Sequence, residues 1–323
     1  MKKLFYRVCS SVALVCAITF IINTAYMNVS YGKNYDGDYT EKFLDISEGI
    51  QISNTGSSHG LRAFNYDKNK RYKCFNFALV SQSLSYDYRL VLHYSDKLKD
   101  GGVMFIPVSY FSFYGSDEIT ETDFKAKDKR YYKILPPNMI KGYDAKTDFF
   151  VNYFPSMSAY EKLLMPFVGV ELEYDEMSQK VEDLGLNANE LSEMGYSRAK
   201  YHILEDKIDD NGERIINYGE INACYDIIDL CKSKNIRPIM ITTPYLYEYT
   251  SAVREIDSDF MIDFMTIIDE IQIETGTEYY DYSEDKRFAD HYELFCDMDH
   301  LNNEGAEKFT TMIINELVEE RKD

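Results

Sequence analysis

The chain has 323 residues, with 35 Lys and Arg against 55 Asp and Glu, a formal net charge of −20. An apolar fraction of 45% and a charged fraction of 28% are those of a globular protein, which excludes a disordered or fibrous chain. The acidity also excludes nucleic acid as a partner, because phosphate contacts need clustered Lys and Arg. Trp is absent while Tyr reaches 29, so aromatic surface comes with a phenol hydroxyl attached.

Lys2, Lys3 and Arg7 precede Val8 to Ile22, a run without charge. Leu4, Phe5, Tyr6 and Ala25 to Met27 extend it towards the ~20 residues of a spanning helix. The basic flank predicts residues 1–27 as a transmembrane signal-anchor in the plasma membrane, with the remainder extracytoplasmic. A cleaved signal peptide would share the same basic and apolar regions, but Asn23-Thr24-Ala25 offers only one of the two small residues that cleavage wants. Neither Cys9 nor Cys16 follows a lipobox-like triplet. The first 27 residues hold three basic groups and no acidic one, so the remainder carries −23.

Outside the anchor stand Cys74, Cys224, Cys231 and Cys296, with no C-x-x-C and no zinc spacing. Cys224 and Cys231 lie seven apart in a helical stretch, which places both in the core. No disulfide framework is expected.

Residues 28–46 read as a polar tether and 47–323 as one α/β domain. Glu48 to Asn54 is a short strand ending in the loop Thr55 to Gly60, and Tyr72 to Val80 is a second apolar run of strand length. Leu84 to Leu98 has helical spacing, Gly101-Gly102 breaks it, and Val103 to Val108 is a third buried strand. The alternation predicts parallel β-α-β units. It stops at about Ser109, and a largely helical insertion fills about 110–215, with helical pieces at Ala159 to Leu164 and Ala188 to Ile203. Gly219 to Lys234 is then an amphipathic helix, Ile236 to Thr242 a strand, Asp259 to Thr275 a helix, Thr277 to Tyr282 a fifth strand and Asn303 to Arg321 a terminal helix.

Two places carry chemistry. Gly56-Ser57-Ser58-His59 follows the first strand, at the edge of a parallel sheet where ligand sites lie. A serine on the turn from strand to helix is exposed, and neighbouring backbone N–H groups can bind an oxyanion. Asp297-Met298-Asp299-His300 precedes the last helix. There the Asp297 carboxylate can orient one ring nitrogen of His300 while the other faces a distant serine. Plain readings stand beside these: a Gly-Ser-Ser loop as a turn, and Asp297 or Asp299 as a helix cap, although Asn302 or Asn303 is better placed. His291, Asp297, Asp299 and His300 could instead hold a metal. The conjunction of Ser58 with Asp297 and His300 favours acyl chemistry with no cofactor and no metal.

These blocks resemble the SGNH (GDSL-like) hydrolase superfamily, in particular its membrane-anchored DltD/AlgJ/AlgX-like branch. The resemblance spans Ile50 to Leu84, Val103 to Phe113 and Ile236 to Leu317, with Leu301, Asn302 and Gly305 following the Asp-x-x-His as is common there. It implies a three-layer α/β/α flavodoxin-like fold around a mostly parallel five-stranded sheet, with Ser58 as nucleophile and Asp297 and His300 completing the triad. Two blocks depart. Ser81-Gln82-Ser83 stands where an oxyanion Gly is expected, and Ser109-Tyr110-Phe111 where Gly-x-Asn-Asp is expected, leaving Gln82, Ser109 and the Ser58 N–H as substitute donors. His59 is a candidate substrate-binding or turn-capping residue, while His93 and His202 have no partner in sequence. Tyr110, Tyr114, Tyr131 and Tyr132 could stack on sugars or close a small core.

The resemblance implies a membrane-anchored esterase or O-acyltransferase acting on an acyl ester of a cell-envelope polysaccharide or teichoic-acid-like polymer. Its partner would be a membrane-bound O-acyltransferase. An anionic polymer would need a basic patch such as Lys125-Lys127-Lys129-Arg130. The alternative is an anchored glycan-binding or assembly protein with a degraded oxyanion hole.

Overall fold

The structure, a computed structural model, describes residues 2–28, 40–116, 129–158 and 176–320. In chain order the first elements are α1 (Lys2–Asn28), β1 (Ile50–Asn54), α2 (Ser58–Ala63), β2 (Cys74–Asn76), α3 (Leu84–His93) and β3 (Leu98–Pro107). Next come α4 (Ala145–Tyr153), α5 (Pro155–Ser158), α6 (Ala188–Ile203), α7 (Tyr218–Ser233), β4 (Arg237–Thr242) and α8 (Tyr247–Ile256). The chain closes with α9 (Phe260–Thr275), β5 (Glu278–Asp281) and α10 (Asn303–Ile314), followed by a π-helical turn at Asn315–Glu319.

Two compact units result. One gathers Met1–Asp45 with Ile119–Tyr174, the other Ile46–Glu118 with Asp175–Asp323. The segment expected as a single insertion is therefore divided between them. Its piece at Ala159 to Leu164, and Lys125 and Lys127 of the candidate basic patch, lie outside the described residues.

The second unit is α/β. Its five strands are all parallel, in the order β2-β1-β3-β4-β5. The order reverses between β1 and β3, and such a switch point opens a crevice at the carboxyl ends of the strands. The central strands are apolar without alternation because both sheet faces are covered: Met104, Phe105 and Ile106 of β3 and Ile239, Met240 and Ile241 of β4 are all fully buried. Burying each such side chain contributes about 1.5–3 kcal/mol. Helix α3 packs on α7 and α2 packs on α10. Cys224 and Cys231 of α7 are buried free thiols, and burial pushes each up to about 12.

Several boundaries differ from the sequence expectation. The α3 helix ends at His93 rather than Leu98, and β3 already begins at Leu98. Gly101 and Gly102 lie inside that strand, where the register with β1 shifts between Ile50 and Ile52, so the glycines mark a bulge and not a helix stop. Only Cys74–Asn76 of the apolar run 72–80 pairs as strand, because Phe77 to Leu79 leave the ladder as a buried loop. Helix α8 was not expected, and the terminal α-helix stops at Ile314, with the Leu317 carbonyl accepting from Arg237.

In the first unit α1 is one continuous helix. Its residues Lys2–Tyr26 are long and apolar enough to cross a membrane, with a mean hydropathy of 2.0 over an 18-residue stretch. Asn23, in its last turns, is buried: its amide donates to the Tyr153 carbonyl (3.0 Å), and its Oδ1 accepts from the Ser156 hydroxyl (2.9 Å). Tyr131 and Tyr132 are buried in this unit, as are Tyr110 and Tyr114 in the other. Their phenols serve packing, and none offers a face for a sugar. The Tyr132 hydroxyl accepts from the Asp144 N–H (2.8 Å), and that of Tyr110 donates to Ser283 (2.5 Å). Arg130 is buried against the Tyr131 ring.

Candidate active site

Ser58 is the first residue of α2, four residues beyond Asn54 at the end of β1. The turn is held from below: the Gly56 N–H donates to Asp87 Oδ1 (2.8 Å) in α3. Helix α2 folds back so tightly that a Cβ on Gly60 would lie 2.3 Å from the Thr55 carbonyl oxygen, so this position requires glycine. Two asparagines at the ends of β1 and β2 satisfy the carbonyls of this short helix. Asn54 donates to Gly60 O (3.1 Å), and Asn76 donates to Gly60, Leu61 and Phe64 carbonyls at 3.1–3.2 Å. As the first residue of the helix, Ser58 presents an N–H that has no intrahelical acceptor.

The second component is the loop before α10. Asp297 Oδ1 accepts from the backbone N–H groups of Asp299 (3.1 Å) and His300 (2.8 Å), which curls the loop into a tight turn. Asp297 Oδ2 lies 2.8 Å from His300 Nδ1. An N–H at Nδ1 donating to the carboxylate leaves the Nε2 lone pair free, and Nε2 lies 2.8 Å from Ser58 Oγ. Asn302 caps α10, accepting from the N–H groups of Glu304 and Gly305, so neither aspartate is used as the cap. The serine, histidine and aspartate expected together from the sequence thus form one hydrogen-bonded chain across 242 positions of sequence separation.

Behind His300 lies a cluster that the sequence reading did not assemble. Asp299 is fully buried and accepts from Arg198 Nε at Oδ1 (2.7 Å) and from His59 Nε2 at Oδ2 (2.8 Å). His202 Nδ1 stands 3.6 Å from the same Oδ2 and 2.9 Å from the Tyr249 hydroxyl. The His59 ring stacks on that of His300, with centroids 4.6 Å apart and planes 22° apart. Burial alone would raise the Asp299 carboxyl, but His300 and the hydrogen bond from His59 hold it well below the usual range.

Helix α6 brings Arg198 and His202 here. They are four residues apart and so share one face, and a capping box between Asn187 and Glu190 starts the helix. Gly195 lets α6 approach α8, since a Cβ there would lie 2.7 Å from the Glu248 backbone.

Scanning family models finds no match for this chain, and the search of curated proteins finds no relative.

The remaining candidates each have contacts of their own. The Gln82 amide is buried and donates to Asp87 Oδ1 (2.6 Å) and the Phe77 carbonyl (3.1 Å), so it braces the Ser58 turn from beneath. Ser109 is buried, its hydroxyl beside the Tyr245 phenol. His59 is buried against Asp299 and His300, where it neither caps the turn nor reaches the surface. Its Nδ1 has no hydrogen-bond partner, which suits a neutral ring donating from Nε2. His291 pairs with Glu293 (2.8 Å) rather than with the other proposed metal ligands. Among the described residues the group with metal-ligand spacing is His59, Asp299 and His300, and Arg198 already meets its carboxylate. A cleft of about 430 Å³ lined by Gly101, Arg237 and Gly276 opens at the opposite, amino-terminal edge of the strands, and no site residue lines it.

Burial also lowers His59 and holds His202 down to about 3. An unfolded chain protonates both as pH falls through about 6.5, while the folded protein withholds those protons. Stability is therefore expected to fall with acid below about 6.5, by about 1.4 kcal/mol per pH unit for each withheld proton. Thermal melts between neutral pH and pH 5 check this. His202→Phe should flatten the slope, and an unchanged slope would contradict a neutral buried His202.

Proposed function

We propose that this protein is a membrane-anchored, extracytoplasmic serine esterase or O-acyltransferase of the SGNH type, acting on an acyl ester of a cell-envelope glycan. The observation that carries the reading is the chain from Ser58 Oγ to His300 Nε2 (2.8 Å) and from His300 Nδ1 to Asp297 Oδ2 (2.8 Å). Ser58 Oγ adds to the ester carbonyl carbon while its proton passes to His300 Nε2. Collapse expels the alcohol, which takes that proton and leaves an acyl-serine. Water or a glycan hydroxyl then attacks the acyl-serine, giving its proton to His300, and Ser58 Oγ takes that proton from His300 as the acyl product leaves. The Ser58 N–H at the start of α2 is the nearest candidate oxyanion donor.

Supporting the SGNH resemblance are the 2-1-3-4-5 strand order, which is that of flavodoxin-like doubly wound sheets, and a nucleophile at the switch point between β1 and β3. The apolar α1 supports anchoring, and a charge of −23 beyond it favours a neutral polysaccharide over an anionic polymer. A membrane-bound O-acyltransferase as acyl-supplying partner remains part of the proposal.

Labelling with a fluorophosphonate probe tests the mechanism. The wild type is expected to label, and Ser58→Ala and His300→Ala to lose labelling. Equal labelling of all three would refute Ser58 as nucleophile. A second reading, an anchored glycan-binding or assembly protein, is favoured by one observation: the Gln82 amide is committed to Asp87 and Phe77. It predicts no turnover of p-nitrophenyl acetate, with polymer retention that survives Ser58→Ala.

A further inference from the structure

The first unit carries a feature that acyl chemistry does not explain. Phe149, Tyr153 and Met157 recur every four residues along α4 and α5 and are 50%, 67% and 48% exposed. Phe149 packs against the rings of Tyr153 (5.6 Å) and Phe154 (5.5 Å), so these rings form one continuous aromatic patch, with Met157 one turn beyond Tyr153. The polar groups of α4 turn to each other instead: Asp144 accepts from Thr147, and Asp148 accepts from Tyr143 and Asn152. Soluble surfaces rarely gather large apolar side chains in this way without a partner.

We infer that this patch lies in the bilayer interface at the carboxyl end of α1, as a second membrane contact beside the anchor. The inference rests on the anchoring part of the proposed function and not on its chemistry. Asn23 locates it. An amide within an apolar spanning helix is costly unless it is hydrogen-bonded, and here the Tyr153 carbonyl and the Ser156 hydroxyl and N–H satisfy both of its ends. At 1.5 Å per residue, Asn23 stands roughly 24 Å along α1 from Arg7 and roughly 30 Å from Lys3. With the basic residues in one headgroup layer, Asn23 falls at the far boundary of a hydrocarbon core about 30 Å thick. Tyr153 and Ser156 are hydrogen-bonded to it and share that depth, and Phe149 lies one turn along α4. Tyr and neighbouring aromatics favour this layer because the ring is apolar and the phenol stays wet. An aromatic collar at the end of the span adds a second grip on the interface.

The absence of Trp makes the test direct, since one introduced Trp is the only indole in the protein. Full-length Phe149→Trp, Tyr153→Trp and, within the anchor, Phe20→Trp would each be reconstituted into phosphatidylcholine vesicles with ordinary or brominated acyl chains. All three are expected to lose roughly half their emission to bromine, while N-acetyltryptophanamide added to the same vesicles is unquenched. Quenching at position 20 with none at 149 and 153 overturns the inference while leaving the anchor intact. In that case a blue-shifted but unquenched emission would report burial against protein, and a red-shifted one exposure to water. No quenching at position 20 overturns the anchor and the inference together. Fluorophosphonate labelling of the same samples reports on the catalytic reading separately.

Discussion

Replacing Asp297 by asparagine is expected to lower kcat on p-nitrophenyl acetate by ~10⁴ while leaving the urea unfolding midpoint nearly unchanged. The asparagine Oδ1 can still accept from the N–H groups of Asp299 and His300, so the turn that Asp297 builds survives. What is lost is the carboxylate that holds a proton on His300 Nδ1. An amide N–H facing Nδ1 favours the opposite tautomer, with its proton on Nε2, and that ring cannot take the proton of Ser58. The imidazolium formed during attack also loses its counter-charge. A loss of less than tenfold would remove Asp297 from the mechanism.

Two residues along, the expected result is the reverse in kind. Asp299→Ala should cost about 3–5 kcal/mol of stability, read as a drop in the urea midpoint and in Tm. Asp299 is fully buried, and its removal strands the Arg198 Nε and His59 Nε2 donors without an acceptor. The penalty is chiefly that of leaving a half-buried guanidinium uncompensated, since breaking such a pair costs more than the pair itself contributes. Asp299→Asn keeps one oxygen and should lose less. A change under about 1 kcal/mol in Asp299→Ala would mean that solvent reaches the cluster. The Asp-Met-Asp-His loop thus holds two carboxylates in different settings: Asp297, partly exposed, faces the His300 ring, and Asp299 ties three segments together behind it.

How much of this was legible depends on the range over which each feature acts. The strands β1, β4 and β5 could be read to within a residue or two: β4 is a continuous apolar run buried on both faces, and β5, a half-exposed edge strand, is bounded by the turn residues Gly276 and Ser283. Helix α6 matched at both ends because its capping box is local. Gly101-Gly102 was misplaced because a glycine pair looks the same at a helix stop and at a bulge, and only pairing with β1 distinguishes them. Gln82 and Ser109 looked like oxyanion donors for a similar reason. A sequence names the amide, but only the fold decides that it is already bonded to Asp87 and the Phe77 carbonyl.

By itself the sequence determined the apolar N-terminal helix, the parallel α/β alternation and the identity of Ser58, Asp297 and His300 as the residues to bring together. Those features rest on local composition and on chemistry carried within a few adjacent positions. Only the tertiary structure decided that Ser58 and His300 meet at 2.8 Å, that Arg198, His59 and His202 converge on Asp299, and that residues 145–158 join the end of α1. Such contacts span from about 100 to 242 positions, and isolated polar residues carry no periodic signal that would pair them across that distance. The absence of Trp, first a detail of composition, now offers the means of testing where the aromatic patch lies.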